Sequence, residues 1–218
     1  MRWFFSIRRE APSGPEPTPV WERPLAQAPY FVLDLETSGF SPARDKILTV
    51  ACATFAGASP DPEDSLYAVV RHEDVADVPA HIWELTGLSP QDVRDGEPLE
   101  HALRRALELG AGRVWVAHHI RHDLGFLQRA ADALWRLRLR PLAVDTAVVG
   151  QVLVRAPRPL TLDEACEWLG VPVAGRHRAD ADVHMTAAVW RREMELCARL
   201  GLQTVKDVID WVSARATG

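Results

Sequence analysis

Asp34 and Glu36 stand two residues apart in the run FVLDLETSG, residues 31–39, whose apolar alternation is that of a β-strand. On such a strand Phe31, Leu33 and Leu35 share one face while Val32, Asp34 and Glu36 share the other, so two carboxylates project side by side. Neighbouring like charges repel each other and resist loss of water, and a hard divalent cation is their natural compensation. At a strand end open to water the same pair costs nothing, so its meaning depends on what else converges on it. Two further acids fall at the edges of later elements: Asp123 soon after the apolar run 114–117, and Asp182 at the start of a long helical pattern. Mg2+ binds oxygen ligands, and two such ions about 4 Å apart can activate a water and stabilise the leaving oxygen of a phosphodiester. That chemistry needs several acids and one base.

Three segments, in order along the chain, resemble the DEDD exonucleases of the histidine-containing subgroup, a family that includes the proofreading epsilon subunit of bacterial DNA polymerase III. Residues 31–39 look like its first motif, with 45–47 (DKI) similar to the lead into its second strand; 116–127 (VAHHIRHDLGFL) look like its second; and 177–182 (HRADAD) fit its third, a His followed five residues later by an Asp. The resemblance covers roughly residues 30–200. It implies a ribonuclease H-like α/β fold: a mixed five-stranded sheet with one antiparallel strand, helices on both faces, and the acids gathered at one sheet edge. It further implies a 3'-5' exonuclease with two Mg2+ ions, for which Mn2+ can substitute. Asp34 would bridge the ions, Glu36 and Asp182 would hold the ion that binds the attacking water, and Asp123 would serve the second. His177 would take the proton from that water, a role that suits the imidazole side chain, the usual general base near neutral pH. Thr37, His119 and Phe126 become expected substrate contacts. The chain departs from the family in having His119 where Asn is usual, Ile120 where Ala is, His122 where Phe is, and Ser38 where a second Thr is common. Asp145 and Thr146 resemble another family element, to which no metal is assigned.

Two other chemistries use some of the same residues. His118 and His122 have the spacing of a zinc-protease helix, yet position 119 is His rather than the Glu that chemistry needs. The dipeptide of His122 and Asp123 also occurs in HD-type phosphohydrolases, which are helical folds needing further histidines. A non-catalytic nucleic-acid-binding or polymerase-associated subunit with the same fold is the competing reading of a different class, and retention of four acids and His177 speaks against it.

The elements that must position these residues are legible in outline. Residues 30–35, 47–55 and 66–70 are rich in β-branched and aromatic side chains and read as strands joined by Gly- and Pro-containing turns. Beyond them the pattern predicts helices over 98–109, 123–137, 147–154, 162–169, 180–200 and 205–214, and strands over 114–117 and 142–145. Thr161 and Glu164 form a capping box for one of these helices.

A length of 218 residues with 47% hydrophobic content favours one compact domain. Six prolines between residues 12 and 29 predict an extended N-terminal arm over 1–29, ahead of an exonuclease domain over 30–218. Trp3, Phe4 and Phe5, flanked by arginines, could dock on a partner or pack back on the domain. The formal net charge of -5 excludes a polybasic coating of nucleic acid, so any phosphate contact must be local. Arg136, Arg138, Arg140, Arg155, Arg158, Arg176 and Arg178 make 136–178 more positive than the chain average and a candidate phosphate track. Phe126 or Trp83 could stack on bases. The expected partners are single-stranded nucleic acid or a frayed 3' end, together with a DNA polymerase. Cys52, Cys166 and Cys197 form no paired motif and read as buried thiols. No apolar run approaches the roughly 18 residues of a membrane span. The expected compartment is the cytoplasm.

Overall fold

The computed structural model describes residues 18–215, and Trp3, Phe4 and Phe5 lie outside the described residues. Strands β1 (Pro29–Thr37), β2 (Ile47–Ala56) and β3 (Asp64–Val69) form an antiparallel meander, while β4 (Val114–Ala117) and β5 (Ala143–Asp145) add in parallel on the other side of β1. The order is β3-β2-β1-β4-β5, so β1 is central and only β2 runs against the rest. This is the mixed five-stranded α/β sheet that the motifs imply.

A central strand is covered on both faces, and the alternation read from the sequence divides accordingly. Phe31, Leu33 and Leu35 enter one layer with buried residues of α3 (Leu99–Gly110) and α4 (Ile120–Trp135). Tyr30 and Val32 enter the other with α5 (Thr146–Val154), α7 (Ala179–Arg199) and α8 (Val205–Ser213). Helix α6 (Leu162–Leu169), capped by Thr161 and Glu164 as expected, packs its Leu162, Ala165 and Cys166 against Met185 and Val189 of α7. All three cysteines are buried and free. Among the described residues, no helix is long and apolar enough to cross a membrane.

Two features differ from expectation. Helices α1 (Ala80–Thr86) and α2 (Pro90–Arg94) follow β3 where no element is expected. Each is under two turns, too short for periodicity to register, although Ser89 and Asp92 form a capping box at α2. They cover Leu48 and hold Trp83 against that small cluster, away from a stacking role. Ahead of β1, within the stretch expected to be an extended arm, two short turns, Val20–Glu22 and Leu25–Gln27, lie on the body. Leu25 and Ala28 belong to the core, the Leu25 amide donates to the Gln203 carbonyl at 2.9 Å, and Tyr30 Oη donates to the Leu25 carbonyl at 2.8 Å. Proline density marks a chain without regular structure, which is not the same as a chain without contacts.

Glu193, midway along α7, is fully buried, and neither of its carboxylate oxygens has a hydrogen-bond partner among the described residues. It faces Gly150 of α5, where a Cβ would lie 3.1 Å from Glu193 Oε1. Burial, reinforced by Asp145, holds the carboxyl well above the usual range. A raised folded-state value means that the stability contribution is complete below the unfolded pKa and is lost as pH rises toward the folded one, at about 1.36 kcal/mol per pH unit. Glu193→Gln, which is neutral throughout, should match the parent in thermal unfolding near about pH 4 and exceed it increasingly toward neutrality. Parallel stability curves for the two proteins would show that Glu193 is not held neutral.

Candidate active site

Asp34 and Glu36 lie near the C-terminal end of β1, on the face covered by α7, whose first turn supplies Asp182. One carboxylate oxygen from each of the three lies within 4.8 Å of the others. Room for them comes from the register, because Asp34 pairs with Ala51 of β2, a side chain too small to fill the space under α7. The acids therefore gather at the C-terminal end of the central strand. Asp34 and Glu36 keep partial access to solvent, while Asp182 is buried.

Asp123, in the first turn of α4, is 3% exposed and stands outside this closest group of three. Pairing of β1 with β4 ends at Val32 and Val116, and the freed Leu35 amide donates to Asp123 Oδ1 at 3.1 Å. The carboxylate thus stands in for a missing strand, which sets it beside Asp34. Its charge reaches Asp34, whose pKa is pushed well up, first by burial and then by Asp123, Glu36 and Asp182 in turn. Burial and Asp182 likewise push Glu36 up to about 8, against the opposing charge of Arg176. Asp123 is raised mainly by burial. Three or four hard oxygen donors, short of compensating charge and partly open to water, fit a divalent cation.

Two groups partly offset this repulsion. Arg176 ion-pairs with both Asp182 and Asp163, and the His177 amide donates to Asp182 Oδ2 at 3.1 Å. His177 has φ of 62°, a left-handed backbone uncommon outside glycine, so the residue is held by its surroundings rather than by its own preference.

The expected substrate contacts separate. Thr37 Oγ1 donates to the Gly39 carbonyl at 2.7 Å, and its lone pairs face His122 Nε2 at 3.2 Å. With its only proton committed, Thr37 must accept, so His122 carries hydrogen on Nε2. His119 is exposed and N-caps α4 with φ of 62°, its amide bound to Asp145 Oδ1 at 3.0 Å. Asn, usual at this place in the family, adopts that conformation readily, and His tolerates it. Phe126 is 3% exposed in the α3–α4 layer, touching His122 from behind, and so offers no face to a base. Phe40, passed over in the sequence, is 92% exposed at the tip of the β1–β2 loop with its ring 5.9 Å from His122. A large aromatic directly after a turn glycine was the available signal.

The rival motifs dissolve. His118 lies before α4 begins, bonded to Thr146 and the Leu160 carbonyl at 2.8 Å each, with burial pushing its pKa to about 4, so it shares no metal with His122. The five-stranded sheet excludes the all-helical HD architecture. Asp145 caps α5 and ties it to His119, a structural use. The arginine track is corrected too: Arg158 pairs with Glu164, Arg176 with Asp163 and Asp182, and Arg178 with Asp180, while Arg155 lines a separate hollow near Arg215. Only Arg136, Arg138 and Arg140 share a surface.

A mixed sheet whose central strand offers paired acids to a third on the covering helix defines the ribonuclease H-like nucleases. Residues 31–190 match the family model RNase_T, described as Exonuclease, and the chain belongs to that family. It is 28% identical over 180 residues to the 3'-5' exonuclease DinG of Bacillus subtilis, covering 82% of this chain and 19% of DinG. It is 26% identical over 179 residues to a PolC-type DNA polymerase III of Caldanaerobacter subterraneus subsp. tengcongensis, covering 82% and 12% of the two chains. The chain thus spans under a fifth of the length of these relatives. In fold it is similar to E. coli ExoI, solved as a zinc-bound complex with single-stranded DNA, at a TM-score of 0.65 and 19% identity over 80% of this chain and 42% of that one.

Because the acids repel one another, a divalent cation should raise the unfolding temperature, by the equivalent of about 2.7 kcal/mol at a hundredfold excess over its Kd. Asp34→Asn should remove that gain and raise the melting point of the cation-free protein. A less stable cation-free variant would dismiss mutual repulsion as the dominant force here.

Proposed function

We propose that the chain removes nucleotides one at a time from the 3' end of single-stranded DNA, or of a frayed end, releasing nucleoside 5'-monophosphates. The observation that carries this is the convergence of Asp34, Glu36 and Asp182, drawn from segments far apart in sequence, with Asp123 adjacent and His177 bonded through its amide to Asp182. Membership of an exonuclease family, similarity to a relative named a 3'-5' exonuclease, and a fold shared with ExoI, solved on single-stranded DNA, support the direction and the strand. Similarity to a PolC-type polymerase supports a DNA polymerase as partner. The same fold without activity is not favoured, since no acid of the set is lost.

Mg2+ is the proposed cofactor, with Mn2+ as a substitute, and Asp34, Glu36, Asp182 and Asp123 would hold it. When bound, the ions lower the pKa of the attacking water and stabilise the charge on the leaving oxygen. His177 accepts the water proton as the water oxygen joins phosphorus and the bond from phosphorus to the 3' oxygen breaks. Arg176 shares Asp182 and limits the local negative charge. Thr37 and His122 fix the loop beneath Phe40, whose free face meets a base near the terminus.

A 5'-labelled single strand incubated with Mg2+ should shorten in single-nucleotide steps, and EDTA should stop it. His177→Ala should slow turnover by about 10²- to 10⁴-fold while leaving the fold intact. Cutting that persists in EDTA, or an unchanged rate in the variant, defeats this mechanism. Phe40→Ala should raise KM about tenfold with kcat little altered, since stacking contributes about 1–3 kcal/mol per base.

A further inference from the structure

Helix α4 carries Asp123 in its first turn, beside the acid cluster, and is capped at its far end by Arg136, 13 residues on, which at the helical rise is about 20 Å away. Its far half forms one wall of a groove of about 700 Å³ lined by Arg129, Arg136, Arg138 and Arg140, against which a single acid, Asp132, is set. All four arginines are exposed, and among the described residues only Arg136 has an ion-pair partner, Asp132 at 3.8 Å. In a chain of formal net charge -5, this is a concentrated positive feature.

The groove is held in shape rather than left to flexible side chains. Arg136 ends α4 in a left-handed conformation, and the Leu137 amide turns back to the Ala131 carbonyl at 3.2 Å. The Gln128 amide group then clamps the outgoing strand at two points, donating to the Leu137 carbonyl at 3.1 Å and accepting from the Leu139 amide at 2.9 Å. Leu139 packs against the core, so Arg138 and Arg140 on either side of it are turned outward, as alternate residues of an extended chain must be. At the other end Gly125 lines the groove, where a Cβ would sit 3.1 Å from Pro42 Cγ. Pro42 belongs to the β1–β2 loop that carries Phe40, so the groove runs up to the rim of the candidate active site.

We propose that this groove is a second nucleic-acid site, which grips backbone phosphates of the strand upstream of its 3' end. The inference rests on the exonuclease reading. Guanidinium groups suit phosphate oxygens through paired donors. A groove lined mainly by charged and polar side chains fits a strand backbone. At the 3.4 Å step of stacked DNA, the 20 Å separation corresponds to about six nucleotides, and a more extended strand spans it with fewer. Longer strands therefore engage both sites and very short ones only the first.

The test compares the parent with an Arg138→Ala, Arg140→Ala double variant on 5'-labelled oligothymidylates of about 3 to 16 nucleotides, a range spanning typical single-strand site sizes. KM of the parent should fall at least about tenfold with length and then level off, while the double variant should match it on the shortest strand and lose the gain on longer ones. In EDTA, anisotropy of a labelled 16-mer should give a salt dependence whose log–log slope is shallower in the variant by about 1.4, or 0.7 for each of two phosphate contacts. Unchanged slope and unchanged length dependence overturn the proposal. Binding of phosphatidylserine vesicles that the substitutions abolish, with oligonucleotide binding intact, overturns it in favour of a membrane. If the parent cuts no strand, the exonuclease reading fails by itself, and the anisotropy slope still decides the groove.

Discussion

The structure depends on keeping several carboxylates close together without letting their repulsion move the chain that carries them. Asp34 and Glu36 sit on the central strand of the sheet, which is packed on both faces, so that displacing it disrupts both layers. The cost appears as raised pKa values at Asp34, Glu36 and Asp123, which mark these groups as destabilised when charged and alone. Three local devices limit that cost: the Arg176 guanidinium on Asp182, the His177 amide on the same side chain, and the Leu35 amide on Asp123. None of them neutralises Asp34, whose field is left for a cation to satisfy.

Much of this was legible because the signals were periodic or punctuated. A period of two in residues 30–36 assigned the two faces of β1 correctly, and capping chemistry located α6. The spacing of His177 and Asp182 placed both at the start of α7. What remained hidden depends on contacts between distant segments. Asp123 is near Asp34 because β4 is short, and no local pattern states how far two strands stay paired. The packing of residues 18–28 rests on Tyr30 and Gln203 reaching carbonyl and amide groups that any sequence would possess. Phe126 is the ring the sequence offers for stacking and Phe40 carries no such mark, and only the fold buries the first and exposes the second.

The arginines make the same point about charge. Residues 136–178 are basic as a stretch, yet in space they divide among an acid-cluster counterion, three exposed ion pairs and a groove. Arg129, absent from that stretch, joins the groove because it is one helical turn from Gly125 and two from Arg136 on the same helix. A run of like residues predicts a patch only where the backbone repeats in phase with it, as it does for Arg138 and Arg140 on either side of the inward-facing Leu139.

Helix α7 shows how position alone assigns two chemistries to one functional group. Asp182 lies in its first turn, where the unpaired amides and helix dipole favour negative charge and where Arg176 and the His177 amide can reach it. Glu193 lies three turns on, surrounded by Leu160, Gly150 and Cys197, with no donor at either oxygen. The first carboxylate lies beside the other acids, and the second, desolvated and without a donor, has its pKa pushed well up. Acidic composition therefore does not by itself measure metal-binding capacity in this fold: a carboxylate must also lie where others meet it. Asp34, Glu36 and Asp182 do so because the end of a central strand and the start of its covering helix bring one oxygen of each within 4.8 Å of the others.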